Sequence, residues 1–77
     1  MSAHKGDIQI GERAAMELLE IEARSGVRTS EQIKALGLDR KVLYEWQHGA
    51  TPSGAALQRM ALAGYDVMYI LTGRRTA

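Results

Sequence analysis

Glycine divides this chain into short segments. Gly26, Gly37, Gly49, Gly64 and Gly73 each follow a stretch in which apolar residues recur three and four apart, and the alternation that marks a half-buried strand is almost absent. A chain punctuated this way folds into short helices joined by tight turns. GERAAMELLEIEARSG sets Ala14, Ala15, Leu18, Leu19 and Ile21 at helical spacing with Glu12, Glu17, Glu20 and Glu22 between them, which predicts an amphipathic first helix closed by Gly26. Thr29 or Ser30 can cap a second helix, SEQIKAL, ended by Gly37, where a missing Cβ lets the chain turn left-handed. Asp39 is the natural cap of a third, RKVLYEWQH, which stops at Gly49.

The fourth helix follows the Pro-bearing stretch ATPSG and runs through SGAALQRMALAG, with Ala56, Leu57, Met60 and Ala61 on one face. Asp66 caps a fifth, DVMYILTG, with Val67, Ile70 and Leu71 on its apolar side. These spacings predict an all-α, compact five-helix bundle in a single domain over residues 1–77. The arm at about 1–7 and the tail at about 74–77 hold too little apolar content to pack, so both are expected to be mobile. Seventy-seven residues make one domain, which buries only about 60% of the surface its unfolded chain exposes.

Composition narrows the function. Without cysteine there is neither a disulfide framework nor a thiolate site or nucleophile, and His4 and His48 stand far apart with no metal-ligand spacing. No metal or other cofactor is expected. No Ser-His-Asp or paired-carboxylate arrangement with a supporting motif is present, nor a Gly-rich phosphate loop, so catalytic residues and a small-molecule substrate are not expected. No apolar run approaches the ~20 residues of a membrane span, and MSAHKGDIQI carries Lys5 and Asp7 where a signal peptide would be hydrophobic. A cytoplasmic protein without membrane contact is expected. The net charge of +1 hides an asymmetry: residues 1–22 carry five acids against two bases, and residues 23–77 carry eight bases against four acids.

The basic part contains the third helix, GLDRKVLYEWQHG. Two short helices joined by a tight Gly-containing turn, the second amphipathic, are the signature of a helix-turn-helix. Val42, Leu43 and Trp46 would turn inward and fix that helix to the bundle, leaving Arg40, Lys41, Tyr44, Glu45 and His48 outward.

The run SEQIKALGLDRKVLYEWQHGATPSGAALQRMALAGYDVMYILTG resembles the DNA-binding domain of the lambda-repressor-like (Cro-type, XRE) helix-turn-helix family. The resemblance extends from Gly26 to Gly73. It rests on the spacing from Gly26 to Gly37, the run Gly37-Leu38-Asp39, Trp46 three residues before Gly49, Pro52, and the closing YILTG. The chain departs from the family at Gln32 and Ile33, where an apolar residue and then Ala are usual, which points to a rotated or shortened second helix. The first helix is also about a turn longer than usual.

The resemblance implies a domain whose third helix, about residues 39–48, enters the major groove of double-stranded DNA. Carried over, Arg40, Lys41 and Tyr44 match base-reading positions. The chemistry suits them: Arg or Lys donates to guanine O6 and N7, and Tyr44 offers a hydroxyl to a base edge or phosphate, or a ring to a thymine methyl. His48, Thr51 and Ser53 match the family's backbone-contacting loop. Thr29 and Ser30, with Arg28 and Lys34 adding charge, make a second set of phosphate contacts. Glu45 can accept from cytosine N4 or pair with Lys41 four residues back.

A sequence-specific transcriptional regulator of phage or bacterial type follows, binding a palindromic operator as a homodimer, because one short helix reads too few bases. The dimer contact is assigned to the fifth helix at Val67, Met68 and Tyr69. A protein-interaction module on the same fold, antitoxin-like or a phage accessory protein, is the alternative. Its adaptable patch would be Met16, Met60 and Met68 with Tyr65 and Tyr69.

Overall fold

In the computed structural model, residues 5–75 are described, with side chains from Ile10 onward. Five α-helices and no strand occur among them: α1 (Lys5–Ser25), α2 (Thr29–Ala35), α3 (Val42–Gln47), α4 (Gly54–Leu62) and α5 (Val67–Thr72). The long α1 is the spine. It packs against α2, α3 and α5, while α4 packs on α5.

Every helix contributes to one core: Ala14, Ala15 and Leu18 from α1, Ile33 from α2, Trp46 from α3, Ala56 and Met60 from α4, and Ile70 from α5. Ile10, Leu38, Val42, Leu43, Leu57, Tyr65, Val67 and Tyr69 pack around it. The predicted inward set of the third helix is therefore inward. Small residues bring the backbones of α1 and α3 together: a Cβ on the buried Gly11 would overlap the Ala50 carbonyl oxygen and stand 2.9 Å from that of Trp46.

The boundaries differ from the sequence expectation in ways with physical causes. α1 starts at Lys5, not Gly11, so residues 5–7, expected in the arm, are helical; residues 1–4 lie outside the described residues. α2 begins at Thr29 with Arg28 at its N-cap and no side-chain cap, so neither Thr29 nor Ser30 caps it. Ser25 and Gly26 instead handle the preceding turn, the Ser25 hydroxyl accepting from the Val27 N–H. α3 is shorter than RKVLYEWQH, because the Asp39 carboxylate accepts from the Lys41 N–H at 2.8 Å and its carbonyl from the Val42 N–H at 3.0 Å. That turn keeps Arg40 and Lys41 ahead of the helix proper. Leu19, Ala61 and Leu71, assigned to apolar faces, are exposed.

Asp39 does not cap α3, whose N-cap is Lys41 without a side-chain bond, whereas Ser53, not foreseen as a cap, and Asp66, foreseen as one, do cap α4 and α5. Their side chains accept from the N–H groups of Ala56 at 3.1 Å and Tyr69 at 3.0 Å. Gly37 closes α2 with a φ of +72°, the left-handed conformation expected of it. Gln32 and Ile33, the two departures from the family pattern, are both buried. Ile33 packs in the core. Gln32 makes three bonds: its Nε2 donates to the carbonyls of Leu18 (2.9 Å) and Val27 (3.0 Å), and its Oε1 accepts from the Tyr65 hydroxyl at 2.8 Å. Burying an amide is costly unless its polar atoms are satisfied, and here they tie α2 to α1 and to the α4–α5 turn.

Candidate nucleic-acid interface

α3 presents two unlike faces because Trp46 is buried and Tyr44, two residues earlier, is 65% exposed. Val42 and Leu43 fall on the Trp46 side, partly buried. Arg40 and Lys41, in the turn, and Tyr44, Glu45 and His48 are all exposed, as the spacing predicts. Arg40 and Lys41 form no ion pair among the described residues, so of the two roles open to Glu45 the pair with Lys41 does not form. Tyr44 and His48, one turn apart, stack with ring centroids 4.0 Å apart at 28°. The His48 Nδ1 also lies 2.8 Å from the Tyr44 carbonyl oxygen.

The residues assigned to phosphate divide into groups. Arg28, Ser30 and Lys34 are exposed on or beside α2 and Thr29 is half-buried. Thr51 and Ser53 line a cleft of about 380 Å³ between the α2–α3 turn and the start of α4, together with Asp39, Glu45, Trp46 and Arg59. The Ser53 hydroxyl already serves as the α4 cap.

Three arginines are committed within the molecule, which residue spacing gave no means of foreseeing. Arg59 donates to the Gly37 carbonyl at 2.7 Å and the Leu36 carbonyl at 3.4 Å, tying α4 to the end of α2 and supporting the turn that carries Arg40 and Lys41. Arg13 donates to the carbonyls of Ile70 (2.9 Å) and Leu71 (3.1 Å) at the end of α5. Arg75 pairs with Glu17 at 2.6 Å, with Glu20, and with Asp66 at 3.4 Å, and lies 3.7 Å over the Tyr69 ring. Arg75 thus belongs to the packed structure, though it falls in the tail expected to be mobile; residues 76–77 lie outside the described residues.

Glu17 is buried, and it also accepts from the Asp66 N–H at 3.1 Å. Its hydrogen bond is the largest cause holding the Arg75 guanidinium above its ordinary range. Burial first, and the Glu17 charge second, push the Tyr65 phenol above its ordinary value of 10.0, so it stays a donor to Gln32 at neutral pH. A sequence signal for Glu17 exists: it stands three residues after Ala14 and four before Ile21, on the apolar stripe.

The assigned dimer residues differ in exposure. Val67 and Tyr69 are partly buried against their own core, and Met68 is 53% exposed. Among the described residues no group of three His, Cys, Asp or Glu is placed to hold a metal, and no helix is long and apolar enough to cross a membrane. No family model, no characterised protein and no solved structure matches the chain.

Proposed function

We propose that α2, the turn after it and α3 act as a helix-turn-helix that reads double-stranded DNA, with the outward face of α3 in the major groove. The observation that carries this reading is the contrast at α3. Its inner face is held by Trp46 and by the close approach at Gly11, while Arg40, Lys41 and Tyr44 stand exposed on a short supported turn and helix with no intramolecular ion pair. A rigid element bearing unpaired donors is suited to base edges. Arg28, Ser30 and Lys34 supply positioning charge and hydrogen bonds to phosphate. In this reading the protein is a transcriptional regulator of the lambda-repressor-like type.

Six residues of α3 read only a few base pairs, so operator recognition calls for a two-fold dimer. The exposed Met68 of α5 is its centre, in place of Val67 and Tyr69. Met68→Glu leaves the fold intact, lowers the sedimentation coefficient to that of a monomer and weakens operator binding. An unchanged dimer in that variant removes α5 from the interface.

Selection of binding sites from a random duplex pool tests the reading as a whole, with titration of the selected and a scrambled duplex over a range of salt. A specific site and a steep salt dependence support it. No binding to either duplex refutes it. That outcome favours an interaction module, whose expected patch is reduced to the exposed Met16 and Met68, because Met60 is buried and Tyr65 and Tyr69 pack on the core; the exposed Leu62 and Leu71 are its further contact residues.

A further inference from the structure

His48 is the residue on the α3 face whose chemistry the fold constrains most. A carbonyl oxygen only accepts, so the 2.8 Å contact between the His48 Nδ1 and the Tyr44 carbonyl requires the hydrogen on Nδ1. The stack on the Tyr44 ring fixes the imidazole plane as well. Nε2 is the nitrogen left over, and it makes no hydrogen bond among the described residues while His48 is exposed. In a neutral imidazole that carries its hydrogen on Nδ1, Nε2 is a lone-pair acceptor.

This bears on the phosphate role suggested by the sequence. Phosphate oxygens only accept, so an acceptor at Nε2 gains nothing from them. The major-groove groups that donate are exocyclic amines, N6 of adenine and N4 of cytosine. Building on the DNA-reading function proposed above, we infer that His48 is a specificity-determining residue whose Nε2 accepts from the amino group of an adenine or cytosine, held in that tautomer and orientation by Tyr44. Tyr44 then has two tasks, one through its own ring and hydroxyl and one through its backbone carbonyl.

Parallel site selections with the wild type, His48→Phe and His48→Gln test the assignment. Phe keeps a flat ring against Tyr44 but has no acceptor; Gln restores an acceptor at similar reach. The wild type and His48→Gln are expected to share a preference of about tenfold, within the range of a good base contact, at one base pair per half-site, and His48→Phe to lose it. The probe is then the selected duplex with that base's amino group deleted, purine in place of adenine or 2-pyrimidinone in place of cytosine. It should weaken the wild type about tenfold and leave His48→Phe unaffected. If His48→Phe selects the wild-type site unaltered, or loses affinity equally for selected and scrambled duplex with a shallower salt dependence, His48 does not read a base and the inference fails while DNA binding stands. If the wild type selects no site, the DNA reading fails and takes the inference with it. Long-range nitrogen–proton correlation on the free protein gives a readout without DNA: a neutral His48 with its hydrogen on Nε2, or a ring with hydrogen on both nitrogens under the binding conditions, overturns the assignment.

Discussion

The two flanks of α1 use their charged residues in opposite ways. On the α5 flank, Arg13 caps the carbonyls of α5, and Arg75 draws Glu17, Glu20 and Asp66 together beside Tyr69. On the α2–α3 flank, Arg28, Lys34, Arg40 and Lys41 are exposed and make no ion pair among the described residues. The internal supports on that side are neutral or carbonyl-directed, Gln32 to Leu18 and Val27, and Arg59 to Leu36 and Gly37. A cation satisfied by carbonyls or carboxylates of its own fold has little left to offer a ligand, whereas one left in water binds a polyanion at small cost in stability. The contrast therefore separates arginines that hold the fold from those available to a partner, a distinction that net charge conceals.

The joint between the flanks should give the largest effect. Trp46 is buried and fixes α3 to α1. Trp46→Ala is expected to cost about 3 to 5 kcal/mol, comparable to the whole stability of a small domain. Gly11→Ala strikes the same joint from the other side with about 1 to 3 kcal/mol, because a backbone carbonyl, unlike a flexible side chain, cannot step aside for the added methyl. Both are read from urea midpoints. Unchanged midpoints in the two variants would show that α3 is not held by this joint, and the contrast would lose its rigid partner.

The Arg75 cluster comes next. Arg75→Ala leaves the buried Glu17 charge facing only the Asp66 N–H, and stripping a buried charge of its partner is destabilising. The melting temperature is expected to fall, and adding Glu17→Gln should recover part of the loss because the orphaned charge goes with it. DNA affinity measured below the melt should hardly move. A double variant that melts no higher than Arg75→Ala would mean that the pair's charge is not what matters. A large loss of DNA affinity in folded Arg75→Ala would erase the division between flanks.

How much of this was legible in the sequence follows from the range of each interaction. The five helices, the cap at Asp66, and the inward turn of Val42, Leu43 and Trp46 come from residues within one or two turns of one another, where periodicity and capping chemistry act. The outward set of α3 follows from the same local pattern. What was not legible joins distant parts of the chain: Gly11 against Ala50, Gln32 with Tyr65, Arg59 on Gly37, Arg75 on Glu17. Glu17 shows the limit most plainly. Its place on the α1 stripe could be read, but its charge argued for solvent until a residue from beyond α5 neutralised it. Val67 and Tyr69 lean on their own core for a related reason, since a helix of six residues has too few positions to show which side the core will take.

The smallest changes in stability should accompany the sharpest change in function. Arg40→Ala and Lys41→Ala remove exposed side chains without an ion-pair partner, so each should leave the urea midpoint within about 0.5 kcal/mol of the wild type. On the selected duplex each is expected to lose about 1 to 3 kcal/mol and to relax preference at one base pair per half-site, because a base-edge donor is gone. Arg28→Ala and Lys34→Ala should be equally silent in stability, yet weaken selected and scrambled duplexes alike, lowering the salt slope by about 1 for each phosphate no longer neutralised. The two pairs lie on the same flank with the same charge, so only their placement, in the turn leading into α3 or on and beside α2, can produce different outcomes. If all four variants lowered affinity uniformly with no change in base preference, the flank would be a nonspecific polyanion surface, and the exposure of Arg40 and Lys41 ahead of α3 would have no bearing on sequence.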